Sequence, residues 1–407
     1  MDSGTNEELA MFTYKHLLYN MSGKLQSTTR NLYSRKYQKK FVITKKVYPE
    51  NTVVPESFKY SNEDARLIEL IQTETTLHNR NNITRTQAYK EIYFNHKELH
   101  WALLAHMVSR NSGWLMTDLK GELLPHLMTE QERYAMFRFY ETANALIFQD
   151  AYPQLLLYVE SKRRQINLFH LLPAFHVSRF MKPFWDLFLK DQDSVLITTA
   201  LIMNEQHYIE DRVIQNEKYQ QTVLETLKFK GQEIAQMTQV IFPYEADNLH
   251  IFWTRSGTRL AGLILEHFAD VKERIAVGKK LYAMLFGIKD VFEGVTVFAE
   301  NVFHSGSRKD YWDYLFTDKV QYKHSQYQKE RMIGEKKIKQ APPFYSPTLE
   351  EAWENQSIPA VSELDWYNNT SVLKELQDFS VPMRFDMTGE YCFGLNKLEL
   401  AVLSKRN

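Results

Sequence analysis

The apolar residues of this chain recur mostly at the spacing of an α-helix. In residues 63–79, Leu67, Ile68 and Ile71 fall on one stripe, as in a helix that buries a single face. Residues 97–110 contain eight apolar residues, all of them between Leu99 and Val108, which is typical of a helix buried on most sides. Further helices are predicted over residues 132–150, 154–164, 194–215, 222–229 and 233–242, and in much of 247–303.

Polar residues beside these runs predict where individual helices begin. Thr84 with Gln87, and Thr129 with Glu132, have the spacing of a capping box, in which each side chain satisfies a free backbone N–H. One helix is therefore expected to start just after Thr84 and another just after Thr129. Pro153 suits the first turn of a further helix, where its missing N–H costs nothing.

Only 14 glycines and 12 prolines interrupt the chain, too few for the frequent turns of an all-β protein. The prediction is an all-α, multi-helical body with a basic N-terminal arm and an irregular, partly extended C-terminal segment. Residues 1–60 would hold a short helix, the arm and a linker, and residues 61–305 the helical core. Residues 306–407 would pack on that core, with a linker around 335–358.

Composition and charge narrow the class of protein. The 50 basic and 50 acidic residues cancel, so no global field favours nucleic acid or anionic lipid. Residues 24–46 nevertheless carry eight Lys or Arg and no acid, which leaves nucleic-acid association as one alternative function. The single cysteine, Cys392, excludes an internal disulfide and reads as a buried thiol. With neither a signal peptide nor a membrane span recognisable, we expect a soluble cytoplasmic protein.

Histidines at helical spacing raise the possibility of a metal site. His96 and His100 lie four residues apart, as do His207 and Asp211, so each pair would share a helix face. The sequence between the two histidines lacks the glutamate of H-E-x-x-H, and further ligands such as Glu205 would have to come from another helix. No cofactor is predicted on this basis. A divalent metal in a metal-assisted hydrolase is the alternative.

The segment RNSGWLMTDLKG, residues 110–121, is the leading candidate for a binding site. Asn111 and Gly113 are expected to end one helix, and Thr117 or Asp118 to start another whose free N–H groups could hold a small anionic ligand. The structural alternative is that Trp114 anchors the turn in the core and Asp118 pairs with a nearby base. Including the neighbouring polar residues, the ligand-binding candidates are Arg85, His96, His100, His106, Arg110, Asn111, Trp114, Asp118 and Lys120.

No recognised catalytic motif occurs in the chain. The patterns G-x-S-x-G, G-x-x-x-x-G-K-[ST] and the dinucleotide glycine fingerprint are all missing, and residues 305–308 are interpreted as a small polar turn. The favoured hypothesis is therefore a protein that binds an unknown protein partner or a small ligand.

Three segments resemble an uncharacterised family of bacillus-type bacterial proteins, catalogued as a domain of unknown function. They are N-I-T-R-T-x-A-Y at residues 82–89, H-W-A-L-L-A-H-M-V-S-R-N at 100–111 and G-W-x-M-T-D-L-K-G at 113–121. The resemblance implies a bacterial cytoplasmic protein. The resemblance does not imply a particular reaction, substrate or catalytic residue.

Overall fold

The computed structural model describes most of the chain beyond residue 60. The described residues are 40–43, 60–224, 235–246, 257–320, 331–333, 335–338, 341–358 and 364–406. The helix predicted near the N-terminus, most of the basic arm and much of the following linker lie outside these residues.

The described chain is mostly helical, which confirms the predicted fold class. Its α-helices are α1 (Asn62–His78), α2 (Asn82–Asn95), α3 (His100–Asp118), α4 (Leu124–Leu127), α5 (Glu130–Arg164), α6 (Lys182–Asp191), α7 (Ser194–Ile209), α8 (Glu217–Tyr219), α9 (Val271–Gly287), α10 (Lys289–Asn301), α11 (Leu349–Ala352) and α12 (Thr388–Arg406). Short 3-10 segments cover Phe169–Phe175, Ala235–Thr238, Arg308–Asp310 and Thr370–Glu375, and π-helical turns cover Glu210–Ile214 and Gln220–Leu224.

Four two-stranded sheets accompany the helices within the described residues. The strands are β1 (Lys40–Phe41), β2 (Gln239–Ala246), β3 (Gly257–Ile264), β4 (Phe316–Thr317), β5 (Met332–Ile333), β6 (Lys336–Lys337), β7 (Phe344–Tyr345) and β8 (Phe379–Ser380). The pairs β1–β8, β2–β3 and β5–β6 are antiparallel, whereas β4–β7 is parallel. Only β2 and β3 are long enough to form a substantial wall.

Helix α3 lies at the centre of the helical body. It packs against α2, α5, α7 and α9 and against strand β2. Side chains around its whole circumference are buried, including Trp101, Leu103, Met107 and Trp114. This burial explains why most residues between Leu99 and Val108 are apolar, because a helix surrounded by other elements has little exposed face to make polar.

The capping prediction at Thr129 is confirmed, and the one at Thr84 is wrong. Thr129 caps α5, with its hydroxyl bonded to the N–H of Glu132. Helix α2 instead begins three residues before the predicted point, because Asn81 supplies the cap and accepts from the N–H of Thr84. Thr84 completes this box by accepting from the N–H of Asn81, so it occupies the third position of the helix.

The predicted end of a helix at Asn111 and Gly113 is wrong, since α3 continues to Asp118. Gly113 allows close packing here. A Cβ atom at this position would lie 2.5 Å from both Asn82 Oδ1 and His304 Nε2. The glycine therefore lets two polar side chains approach the helix backbone. The predicted new helix at Thr117 or Asp118 does not exist, because both residues belong to the last turn of α3.

Two other helix boundaries also differ from prediction. Pro153 lies inside the continuous helix α5, and it is buried together with its neighbours Tyr152 and Leu155. An internal proline costs roughly 3 kcal/mol, so packing on both sides must outweigh the lost hydrogen bond. The helix predicted over residues 194–215 is α-helical only to Ile209, and a π-helical turn covers Glu210–Ile214.

Strand β2 replaces the last four residues of the helix predicted over residues 233–242, after the short 3-10 segment Ala235–Thr238. All eight residues of β2 pair with β3, from Gln239 opposite Ile264 to Ala246 opposite Gly257. The run Val240–Phe242 consists of β-branched and aromatic residues, which favour strands when a partner strand is present. Tertiary contacts therefore override the helical spacing of the apolar residues here.

The residues after 306 contact several helices of the body. Arg308 pairs with Asp118 of α3, and the Trp353 indole donates to the Met116 carbonyl at 2.8 Å. Trp366 donates to Asn204 of α7 at 2.9 Å. The predicted polar turn at residues 305–308 is confirmed, with Gly306 in a left-handed conformation at φ 83°. No helix of the described residues is long and apolar enough to cross a membrane.

Candidate functional site

A cavity of about 170 Å³ lies between α3, α5, α7, α9 and the β2–β3 hairpin. Its apolar wall includes Trp101, Leu104, Leu115, Phe139, Tyr140, Ile147, Ile209, Leu265, Phe268, Val277 and Leu281. Its polar residues include Ser109, Asn111, Ser112, Asn144, Glu205, Gln206, Gln239 and Arg274. Such a predominantly apolar wall with a few polar groups is the usual composition of a small-molecule site.

Helical spacing places these side chains on the cavity. Along α3 the wall residues Trp101, Ala105, Val108, Ser112 and Leu115 follow intervals of three and four, and so share one face. The wall residues of α9, from Arg274 to Leu281, follow the same intervals. Each helix therefore contributes one stripe to a common space.

Glu205 of α7 is the acidic residue of the wall. The indole N–H of Trp101 donates to its Oε2 at 3.1 Å, and the amide of Gln206 donates to its Oε1 at 3.1 Å. Burial raises the pKa of Glu205 to about 8, and the two hydrogen bonds counter only part of this rise. The carboxyl is therefore mostly protonated at pH 7.

Arg274 of α9 is the basic residue of the described wall, but its guanidinium is already occupied. It forms an ion pair with Glu210, donates to the Phe268 carbonyl at 2.8 Å and donates to Gln206 Oε1 at 2.9 Å. Gln206 thus stands between Arg274 and Glu205, bonded to both. Among the described residues, no Lys, Arg or His lies within ion-pair distance of Glu205.

Of the ligand-binding candidates, only Asn111 lines the cavity. Its amide nitrogen donates to the Gln239 carbonyl at 3.1 Å, and its oxygen accepts from the N–H of Ile241 at 3.1 Å. Both bonds hold strand β2 against α3. The contribution of Asn111 to the site is therefore to fix one wall in place.

Two buried arginines among the candidates have protein partners elsewhere. Arg85 is fully buried and forms an ion pair with Glu141 at 2.6 Å, with a further bond to Asn79. Arg110 donates to the carbonyls of Val302 and Phe303 just after α10. Burial lowers the pKa of Arg110 to about 10, which leaves it charged at neutral pH.

The remaining candidates on α3 are held by contacts within the protein. His106 bonds through Nδ1 to the Thr86 carbonyl at 2.8 Å, and burial lowers its pKa well below the ordinary value. Trp114 is buried and donates to Asp310, as in the structural alternative. Lys120, just past the helix, lies over the Trp353 ring at 4.6 Å.

Both carboxylate oxygens of Asp118 accept hydrogen bonds from the same arginine, Arg308. The Arg308 guanidinium donates through Nε and a terminal nitrogen, the shorter bond measuring 2.6 Å. The helix start at Thr117 or Asp118 that the predicted anion site requires is absent, because Asp118 ends α3 and the next helix begins only at Leu124. An ion pair with the C-terminal segment stands in its place.

The residues considered for a metal have separate neighbours. His96 pairs with Glu98 at 3.6 Å, His100 bonds to the Tyr282 hydroxyl at 3.0 Å, and His207 stacks on Trp366 at 4.5 Å. Asp211 is exposed on the π-helical turn after α7. Within the described ranges, no group of three or more His, Cys, Asp or Glu side chains is arranged to hold a metal ion.

Comparison with known proteins places the chain in a family. Residues 77–390 match the pattern described as "Protein of unknown function (DUF2515)". The chain belongs to this family. It is 41% identical over 245 residues to the uncharacterized protein YppC of Bacillus subtilis (strain 168), which covers 60% of this chain and 73% of YppC. No solved structure matches. The predicted resemblance to a bacterial family of unknown function is thus confirmed.

The matched region of this DUF2515 protein includes every residue of the cavity wall. Sequence patterns gave no means of separating these residues from ordinary core. Phe139 and Ile147 of α5 and Leu281 of α9 border an open space only because of how these two helices meet the rest of the body. The sequence of α7 offers one signal, since Glu205 is the acid within the polar run Asn204–His207 that follows the mostly apolar start of this helix.

Proposed function

We propose that this DUF2515 protein binds a small, predominantly apolar molecule in the cavity between α3, α5, α7 and α9. The observation that carries the proposal is the volume of about 170 Å³ bounded by apolar side chains. In another protein an apolar cavity of about 150 Å³ accommodates benzene. By that comparison the ligand would have roughly six to ten non-hydrogen atoms.

The polar part of the wall supports a site with a defined orientation. Glu205, Gln206 and Arg274 form a hydrogen-bonded row along one side. Most of the rest of the wall is aliphatic or aromatic. A ligand with one polar group would therefore have a preferred direction in the cavity.

The proposal is tested by comparing toluene binding to the wild type with toluene binding to a variant in which a larger side chain fills the cavity. Replacing Ala105 on the cavity face of α3 by phenylalanine should fill much of the space. Ala65→Phe, at an exposed position of α1, provides the matched control. We expect toluene to raise the unfolding temperature of the wild type and of Ala65→Phe, but not of Ala105→Phe. Equal stabilisation of all three proteins, or of none, would contradict a ligand site in this cavity.

A further inference from the structure

We propose that the cavity selects a small organic cation, namely a protonated amine on an aromatic or aliphatic body, and that Glu205 is its counter-ion. This inference rests on the proposed binding function and specifies the chemical class of the ligand. It is carried by the position of one carboxyl group on an otherwise largely apolar wall.

Glu205 lacks a positive partner among the residues that the structure describes. Trp101 and Gln206 each donate one hydrogen bond to the carboxyl, but both are neutral. Arg274, the cation nearby, is paired with Glu210 and bonded to Gln206. Glu205 is partly buried, and since a carboxylate withdrawn from water is stabilised mainly by an opposite charge, a cationic ligand would supply what the described wall lacks.

The wall of the cavity is also rich in aromatic rings. Trp101, Tyr89, Phe139, Tyr140 and Phe268 all border the cavity. The Tyr89 and Trp101 rings meet edge to face at 5.4 Å, and the Phe139 and Phe268 rings at 5.4 Å. Aromatic faces attract cations, and this attraction grows when water is excluded.

The other charged groups around Glu205 favour a cationic ligand over an anionic one. Tyr89 of α2, Asp150 of α5 and the Arg274–Glu210 pair are the titratable or charged groups near Glu205. Asp150 adds negative potential when ionised, and the Arg274–Glu210 pair is neutral as a whole. An anionic ligand would therefore meet one or two acids and no uncommitted base of the described wall, which disfavours an anion in this cavity.

Binding of a cation should release a proton. The raised pKa of Glu205, about 8, means that most molecules carry a neutral carboxyl at pH 7. The ligand ammonium would favour the carboxylate, so close to one proton would pass to the buffer. Between pH 6 and pH 7 the ionised fraction of a group with this pKa rises about tenfold, and the affinity should rise with it.

Three probes of similar shape distinguish the possibilities: benzylamine as the cation, toluene as the neutral analogue and benzoate as the anion. Calorimetric titration of the full chain would measure their affinities at pH 6, 7 and 8. We expect benzylamine to bind roughly ten- to a hundredfold more tightly than toluene at pH 8, and benzoate to bind most weakly. Proton release would appear as a binding enthalpy that depends on the buffer.

Matched variants separate this inference from the proposed function. Glu205→Gln keeps an acceptor for Trp101 but removes the charge, so benzylamine should lose its advantage while toluene binds as before. Glu69→Gln, at an exposed position of α1, should change nothing. If toluene binds, but benzylamine binds no better or is unaffected by Glu205→Gln, the cation preference is refuted and the cavity site stands. If neither binds, both proposals fail.

Discussion

Asp150 provides a quantitative test of how burial controls stability in the helical body. It lies on α5 with only 2% of its surface exposed. Its Oδ2 accepts from Gln154 at 2.9 Å and from Asn204 at 2.5 Å, while Oδ1 has no hydrogen-bond partner in the described chain. Burial raises the pKa of Asp150 from 3.8 to about 7, although both hydrogen bonds oppose the rise.

The raised pKa of Asp150 determines whether the folded state gains or loses stability as the pH rises. Because the folded chain holds the proton more tightly than the unfolded chain, the stabilisation is complete below pH 3.8 and is lost as pH rises through 7. At about 1.4 kcal/mol per pH unit, the whole rise corresponds to about 4 kcal/mol. About 2–3 kcal/mol of this should be lost between pH 5 and pH 9.

Replacing Asp150 by asparagine should remove this dependence. The asparagine oxygen can accept from Gln154 and Asn204 as the carboxyl oxygen does, and its amide takes the place of the protonated oxygen. Between pH 5 and pH 9 we therefore expect the wild type to lose about 2–3 kcal/mol more stability than Asp150→Asn. The exposed Asp211→Asn variant should behave as the wild type.

Thermal unfolding followed by circular dichroism at the two pH values would measure the difference. An unfolding entropy of about 2.1 cal/mol/K per residue over 407 residues makes 1 kcal/mol equivalent to about 1 °C for a single cooperative transition. The unfolding temperature of the wild type should thus fall by about 2–4 °C more than that of Asp150→Asn. Equal falls in both proteins would refute the assignment of a buried, neutral Asp150.

Two further substitutions test other buried contacts. Replacing Arg85 by methionine leaves Glu141 buried without its partner and should cost about 3–5 kcal/mol of unfolding free energy. Adding Glu141→Leu should recover most of that loss in a thermal unfolding experiment, and a double variant as unstable as the single one would contradict the reasoning. Gly113→Ala should cost about 1–3 kcal/mol because its Cβ would collide with His304. Gly257→Ala, with no described atom within 4 Å of the added Cβ, should cost under about 0.5 kcal/mol, so equal losses would count against the packing argument.

The helical class of the fold was predictable because it depends on neighbours in the sequence. The stripe of Leu67 and Ile71 and the capping box of Thr129 with Glu132 involve residues within one or two turns. Both appear in the structure as expected. Local patterns of this kind need no knowledge of the tertiary arrangement.

The secondary-structure predictions that are wrong concern segments whose conformation depends on contacts with residues distant in the sequence. Gly113 lies inside α3, where Asn82 and His304 pack against it, and neither contact is visible in its own segment. Strand β2 forms because β3 and the side chain of Asn111 satisfy its backbone. Local periodicity predicts a turn in the first case and a helix in the second.

The candidate site was predictable only in part, because a cavity is a space between elements. Arg85, His106 and Arg110 were candidates because they are polar residues in a largely apolar region. In the structure they form hydrogen bonds with a buried carboxylate or with backbone carbonyls. Glu205 was named as a possible metal ligand, whereas the structure places it beside a tryptophan on an apolar wall. Its chemistry depends on how α3 and α7 pack, which neither segment encodes alone.

The ion pair between Asp118 and Arg308 also has a consequence for synthesis on the ribosome. The two residues are 190 positions apart in the chain. At translation rates of about 5–20 residues per second, Asp118 exists for roughly 10–40 s before Arg308 is made. During that interval the end of α3 is a carboxylate without its arginine, and it is disfavoured from entering a low-dielectric interior. The nascent chain therefore completes this end of its central helix late, after most of the polypeptide has been made.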